Sequence, residues 1–143
     1  MADTCIFCEI LAGRAKGRIV HEDVHSVALL DINPFSPGHC LVIPRRHVQF
    51  WHDLSAEEAA SLFQVAQETA RRIKQAYRPD FVAMYARGRR IPHTHIFLVP
   101  TFGGDPLDRF FNTLEGFQEQ TTRLADIRSQ KSLDEAWQRL VQS

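Results

Sequence analysis

The residues best suited to chemistry lie at Pro92-His93-Thr94-His95-Ile96-Phe97-Leu98, within an otherwise apolar run. Read as a strand, the run sends alternate side chains to opposite faces, so His93, His95 and Phe97 share one side. Two imidazoles on one sheet face are costly as plain core, because their ring nitrogens need partners. A backbone hydrogen bond can satisfy each histidine singly. As a pair, with further histidines at strand ends, they point to function. Cys5-x-x-Cys8 is the second chemical feature, and two thiols at this spacing leave metal binding and redox chemistry both open.

The elements that position these groups follow from pattern. Apolar residues at 6, 7, 10 and 11 predict a short helix stopped near Gly13. Arg18 to His21 and Ser26 to Asp31 read as antiparallel strands across a polar turn, and Asn33 to Gly38, with two prolines and a glycine, breaks regular structure. Cys40 to Ile43 is a third strand, ended by Pro44. Ser55-Ala56-Glu57-Glu58 fits a capping box, and apolar residues at 59, 62, 63, 66, 70 and 73 continue at helical spacing to Tyr77. Phe81 to Tyr85 and Ile91 to Val99 supply two more strands, the second flanked by Pro92 and Pro100. The order predicts an α+β fold: an antiparallel sheet of about five strands, one long helix, a short N-terminal helix and a helical C-terminal tail. Beyond Gly103-Gly104 the tail shows a loose helical pattern over Leu107 to Leu124 and a helix capped at Ser132. It is either packing and interface material or a partly frayed extension.

With 143 residues, 44% of them hydrophobic, the expectation is one domain over 1–143, its core near 5–102 and the helical extension at 103–143. Lys plus Arg equal Asp plus Glu at 17 each, so no overall field recruits nucleic acid or an anionic membrane. An anion must be held by a local site. No segment approaches the roughly 20 apolar residues of a membrane span. The first residues lack a signal-peptide pattern. A cytoplasmic protein with reduced thiols is expected.

From Cys5-Ile6-Phe7-Cys8 through Leu30-Asp31-Ile32 and PGHCLVIPRRH (37–47) to GRRIPHTHIFLVP (88–100), the sequence resembles the histidine-triad (HIT) family of nucleotide hydrolases and transferases. The motifs occur in the family's order. The resemblance implies that His95 is the nucleophile, attacking the α-phosphorus of a bound nucleotide to give a nucleotidyl-histidine that water then breaks. It places His39 against the α-phosphate and makes the His93 carbonyl the partner that fixes the nucleophile's tautomer. Asp31 falls on the ribose hydroxyls, with Phe7, Ile10, Leu30, Ile32 and Leu41 around the base. Cys5, Cys8, His47 and His93 match a structural zinc set, and no redox cofactor is implied. Similar proteins are homodimers that extend the sheet across a two-fold axis.

Two departures bear on chemistry. Phe97 stands where the family has its third histidine, and it can neither hydrogen-bond a phosphoryl group nor pass a proton to the leaving group. Arg89 replaces a glutamine in Gly88-Arg89-Arg90, and Tyr85-Ala86-Arg87 replaces an asparagine-containing stretch, so Arg87, Arg89 and Arg90 either clamp a polyphosphate or form a solvated loop. The expected function is hydrolysis of nucleoside phosphoramidates or dinucleoside polyphosphates, with a purine nucleotide as ligand. The alternative is a nucleotide-binding or sensing protein of weak or no activity. Action on nucleic-acid ends fits poorly with the neutral charge.

Overall fold

In the computed structural model, which describes residues 4–120 and 122–143 with the side chains of Gln120 and Arg123 left aside, five strands form one antiparallel sheet. They are β1 (Ile19–Glu22), β2 (Ser26–Leu30), β3 (Cys40–Pro44), β4 (Phe81–Tyr85) and β5 (Ile96–Thr101), in the order β1-β2-β3-β5-β4. Directly opposed residues share a face. Leu29 pairs with Leu41, Leu41 with Phe97 and Phe97 with Tyr85, which makes one row across the sheet. The neighbouring row, Leu30, Cys40 and Leu98, faces the other way.

Helix α1 (Ile6–Leu11) covers the first face, where Phe7, Val27, Leu29, Leu41 and Ile43 are buried with Ile10, Ile91 and Phe97 against them. Helix α2 (Ala56–Tyr77) covers the second, with Leu62, Val65, Ala66 and Ile73 on Ala28, Cys40, Val42 and Leu98. The expected capping box is present: Ser55 Oγ accepts from the Glu58 amide at 3.2 Å and the Glu58 carboxylate accepts from the Ser55 amide at 2.8 Å. Arg46 adds a bidentate pair to Glu58, at 2.6 and 2.7 Å, which with the Ser55 amide holds that carboxyl down to about 2.

The buried stripe of α2 differs from the expected one. Ser61, Leu62, Val65, Ala66, Thr69 and Ile73 are buried, whereas Ala59 and Phe63 are exposed. Counting apolar residues misplaced the stripe because two polar ones are internally satisfied. Ser61 donates to the Asp23 carboxylate at 2.7 Å and Thr69 to the Val65 carbonyl at 2.7 Å. Burial raises the Asp23 pKa, but hydrogen bonds from Ser61 and from the His25 and Ser26 amides outweigh it and leave the group below the ordinary carboxylate value.

The last strand also starts later than expected. His93, Thr94 and His95 precede β5 as irregular backbone, since Pro92 offers no amide and the Thr94 amide donates to the Val48 carbonyl at 2.6 Å instead of joining a ladder.

By contacts the chain divides into two units, Met1–Gly103 and Gly104–Ser143. The second holds α3 (Pro106–Gln120) and α4 (Gln130–Val141). The helical pattern read over Leu107 to Leu124 crosses residue 121, which lies outside the described residues. The expected Ser132 cap is corrected to Ser129, whose hydroxyl accepts from the Ser132 amide at 3.2 Å. No described helix is long and apolar enough to cross a membrane.

Candidate active site and metal centre

His95 is positioned by its own chain. Its Nδ1 lies 2.7 Å from the His93 carbonyl oxygen and must donate to it, which leaves Nε2 unprotonated with a free lone pair in the neutral ring. The ring is 5% exposed and is contacted by Phe7, with centroids 5.4 Å apart, and by Phe97 at 5.1 Å.

His39 immediately precedes β3 and follows Gly38, whose φ of +88° and lack of a side chain both matter: a Cβ there would lie 2.4 Å from the Tyr77 ring. The Phe35 amide donates to His39 Nδ1 at 3.1 Å, so the neutral ring carries its proton on Nε2. That N–H is buried and faces Asp31 Oδ2 at 3.5 Å, beyond good hydrogen-bond distance, and it has no hydrogen-bond partner among the described residues. Asp31 is held in turn by the Asn33 amide on its Oδ1 at 2.7 Å. The Phe97 ring contacts His39 as well as His95, with centroids 5.7 Å apart.

Burial pushes the His39 pKa below its usual 6.5, with Asp31 opposing. An unfolded chain takes up this proton near pH 6.5, while folded His39 resists it to lower pH. Stability is therefore undiminished by this group above about pH 6.5 and declines as pH falls below it. Thermal melts between pH 7.5 and 5 are expected to show a falling Tm, less steep in His39→Gln. His93, shifted the same way by burial, leaves a residual slope. An identical slope in the variant would remove His39 as a source.

The expected base-lining residues separate. Phe7, Ile10 and Leu41 gather on the face that carries His95. Leu30 does not: it packs with Ala28, Cys40 and Val42 on the α2 face, and parity puts Leu29 in its place. Ile32 is 83% exposed. Arg89 and Arg90 are exposed, whereas Arg87 lines a cavity of about 150 Å³ together with His95, Thr94, Gly88 and the segment Gln49 to His52. His52, to which the sequence assigned no role, and Thr94 are thus additions. No local pattern marks the 49–52 segment, which reaches His95 only because Val48 is tied to Thr94.

Cys5, Cys8, His47 and His93 offer four ligand atoms within 4.8 Å of one another. The His93 Nδ1 lies 3.4 Å from Cys5 Sγ and 3.6 Å from Cys8 Sγ, and His47 Nδ1 lies 3.3 Å from Cys8 Sγ. A tetrahedral ion bound at ordinary zinc distances separates sulfur and nitrogen ligands by about 3.6 Å. His93 Nε2 donates to the Pro44 carbonyl at 2.8 Å, which frees Nδ1 for a metal and fixes the ring. The residues fit a Cys₂His₂ zinc. Cys40 stands apart as a buried thiol pushed up to about 11 by burial.

Residues 12–104 match the model of the HIT domain family. The protein hit of Bacillus subtilis is 32% identical over 118 residues, covering 78% of this chain and 81% of that protein. A bifunctional bis(5′-adenosyl)-triphosphatase/adenylylsulfatase of Arabidopsis thaliana is 28% identical over 109 residues, 71% of this chain and 61% of that one. Among solved structures, a HIT family protein from Bacillus anthracis superposes with a TM-score of 0.80 at 28% identity, over 99% of this chain and 98% of the other. A zinc-bound histidine triad family protein from Mycobacterium smegmatis gives 0.67 at 27% identity, over 79% and 96%.

Proposed function

The chain belongs to the HIT domain family, and from that premise we propose that it is a nucleotide-binding hydrolase acting at the α-phosphorus of nucleoside phosphoramidates or dinucleoside polyphosphates. One observation carries the reading: the His93 carbonyl, 2.7 Å from His95 Nδ1, holds the imidazole in the tautomer whose Nε2 is a nucleophile near neutral pH. Attack forms a P–N bond as the bond to the leaving group breaks, and water then cleaves the nucleotidyl-histidine. His39 presents a neutral, buried Nε2–H with no protein hydrogen bond to satisfy it, suited to a nonbridging phosphoryl oxygen. Asp31 Oδ2, beside it, suits ribose hydroxyls. Phe7, Ile10, Leu29 and Leu41 offer an apolar slot for a purine.

Zinc on Cys5, Cys8, His47 and His93 would tie α1 to the sheet as a structural ion and take no part in the displacement. The triphosphatase and adenylylsulfatase activities of the Arabidopsis relative and the zinc of the Mycobacterium structure support these assignments. A homodimer is part of the reading: β4 is an edge strand, and its Phe81 and Met84 are 46% and 52% exposed.

A binding protein without turnover is the second reading, favoured by Phe97, whose apolar ring contacts both His39 and His95. The two are separated by mixing the protein with diadenosine tetraphosphate, quenching in alkaline denaturant and analysing peptides by mass. A single AMP on the peptide bearing His95 is expected. Bound nucleotide with neither adduct nor product would replace the enzyme with the binding protein.

A further inference from the structure

The thiols of Cys5 and Cys8 are placed for a second chemistry besides holding a metal. Cys5 is the N-cap of α1 and Cys8 lies in its first turn, so helix geometry sets their Cα atoms about 5 Å apart, within the span of a disulfide. Their sulfurs lie within 4.8 Å of each other, and both side chains are half-buried, open to a small oxidant. Cys40 stands apart: it is 2% exposed on the α2 face of the sheet, where its thiol donates to the Gly38 carbonyl at 3.3 Å. Helix α1 is six residues long and reaches the sheet in two ways. One is the packing of Phe7 and Ile10, and the other is the meeting of both sulfurs with His47 and His93. The second tie is chemical and can be undone.

We propose that Cys5 and Cys8 form a thiol–disulfide switch, in which a peroxide oxidises the pair, releases the zinc and loosens α1 from the nucleotide slot. The inference rests on the zinc assignment and the base slot proposed above. One thiolate attacks the O–O bond of the peroxide and keeps one oxygen as a sulfenic acid, while the other oxygen leaves as hydroxide and takes up a proton. The second thiolate attacks the sulfenic sulfur. The S–S bond forms, the S–O bond breaks, and the departing hydroxide is protonated to a second water. Each sulfur has then lost one electron, and the peroxide has taken both. The disulfide closes within the first turn of α1, but its sulfurs no longer serve as thiolate ligands. His47 and His93 remain, two ligands where a closed zinc site needs four. The slot that Phe7 and Ile10 line is then competent only in the fraction of molecules with α1 docked, and the apparent affinity falls by that fraction. A reductant returns the thiols, and zinc restores the tie.

The test treats the full chain, reduced, loaded with zinc and freed of excess metal, with hydrogen peroxide in the presence of a chromogenic zinc indicator. Release of the bound zinc is expected, while the tryptic peptide from Met1 to Arg14 loses about 2 Da, the two thiol hydrogens. AMP affinity measured by calorimetry should fall at least about tenfold, and the Tm should drop to that of reduced, chelated protein. Dithiothreitol with zinc should restore both. Cys40→Ala should respond as wild type does, and Cys5→Ser should form no disulfide. Zinc-loaded, AMP-binding protein that keeps both thiols, or that oxidises past the sulfenic acid without a disulfide, would overturn the switch and leave the hydrolase reading intact. A disulfide that leaves zinc bound or AMP affinity unchanged would do the same. A chain that takes up no zinc, or that binds AMP in neither state, would remove the assignment beneath the switch and the switch with it.

Discussion

Replacing His95 with alanine is expected to cut nucleotide turnover by at least about 10³-fold while moving nucleotide affinity by less than about tenfold. The two effects separate because the groups around His95 do different things. In the proposed mode His39, just before β3, would meet phosphate and Asp31, just after β2, the ribose, while the apolar slot is built on α1 and the sheet. Of these groups, Phe7 packs against the His95 ring, while His39, Asp31, Ile10 and Leu41 have other supports. What alanine removes is the Nε2 lone pair on which the proposed displacement depends. Hydrolysis of diadenosine tetraphosphate and calorimetric binding, run on one preparation, decide it. Turnover within tenfold of wild type would take His95 out of the chemistry. A parallel collapse of binding would make it a packing residue, since the Phe7 ring lies on it with centroids 5.4 Å apart.

Much of the fold was legible because its signals are local. The Ser55 cap, the strand over Cys40 to Ile43 and the breaker between Asn33 and Gly38 are written in adjacent residues, and the structure has them in place, with the strand running one residue further to Pro44. What was not legible depends on partners far away in sequence. Ser61 is buried on α2 because Asp23 is there to accept its hydrogen bond, 38 residues earlier. His93 and His95 leave the strand because Val48 captures the Thr94 amide. Leu30 adjoins Asp31 in the motif, which drew it into the expected base slot, yet sheet parity gives that face to Leu29, opposite Leu41. The candidate site divides the same way. His39, His95, Arg87 and the four metal-site residues fall in stretches legible in the sequence, whereas the 49–52 segment with His52 is brought beside Arg87 and His95 by loop closure.

Removing the metal site is expected to cost both stability and part of the activity, and His93 is the reason the two are linked. It directs Nδ1 at the two cysteine sulfurs, donates Nε2–H to the Pro44 carbonyl, and offers its own carbonyl to His95. An ion on Nδ1 would therefore fix the backbone whose carbonyl sets the His95 tautomer. An ion present at about a thousand times its dissociation constant stabilises the folded chain by about 4 kcal/mol. For a chain of this size that corresponds to roughly 8–16 °C in Tm. Cys8→Ala is expected to lose the bound zinc and show a drop of that order. A chelator should reproduce the drop in wild type and add little to the variant. Both kcat and nucleotide affinity of the metal-free protein should fall, because Phe7 and Ile10 of the proposed apolar slot sit on α1, which the ion would tie to the sheet. Protein prepared with zinc that retains none by elemental analysis, and whose Tm ignores the chelator, would show that the four side chains meet without holding a metal.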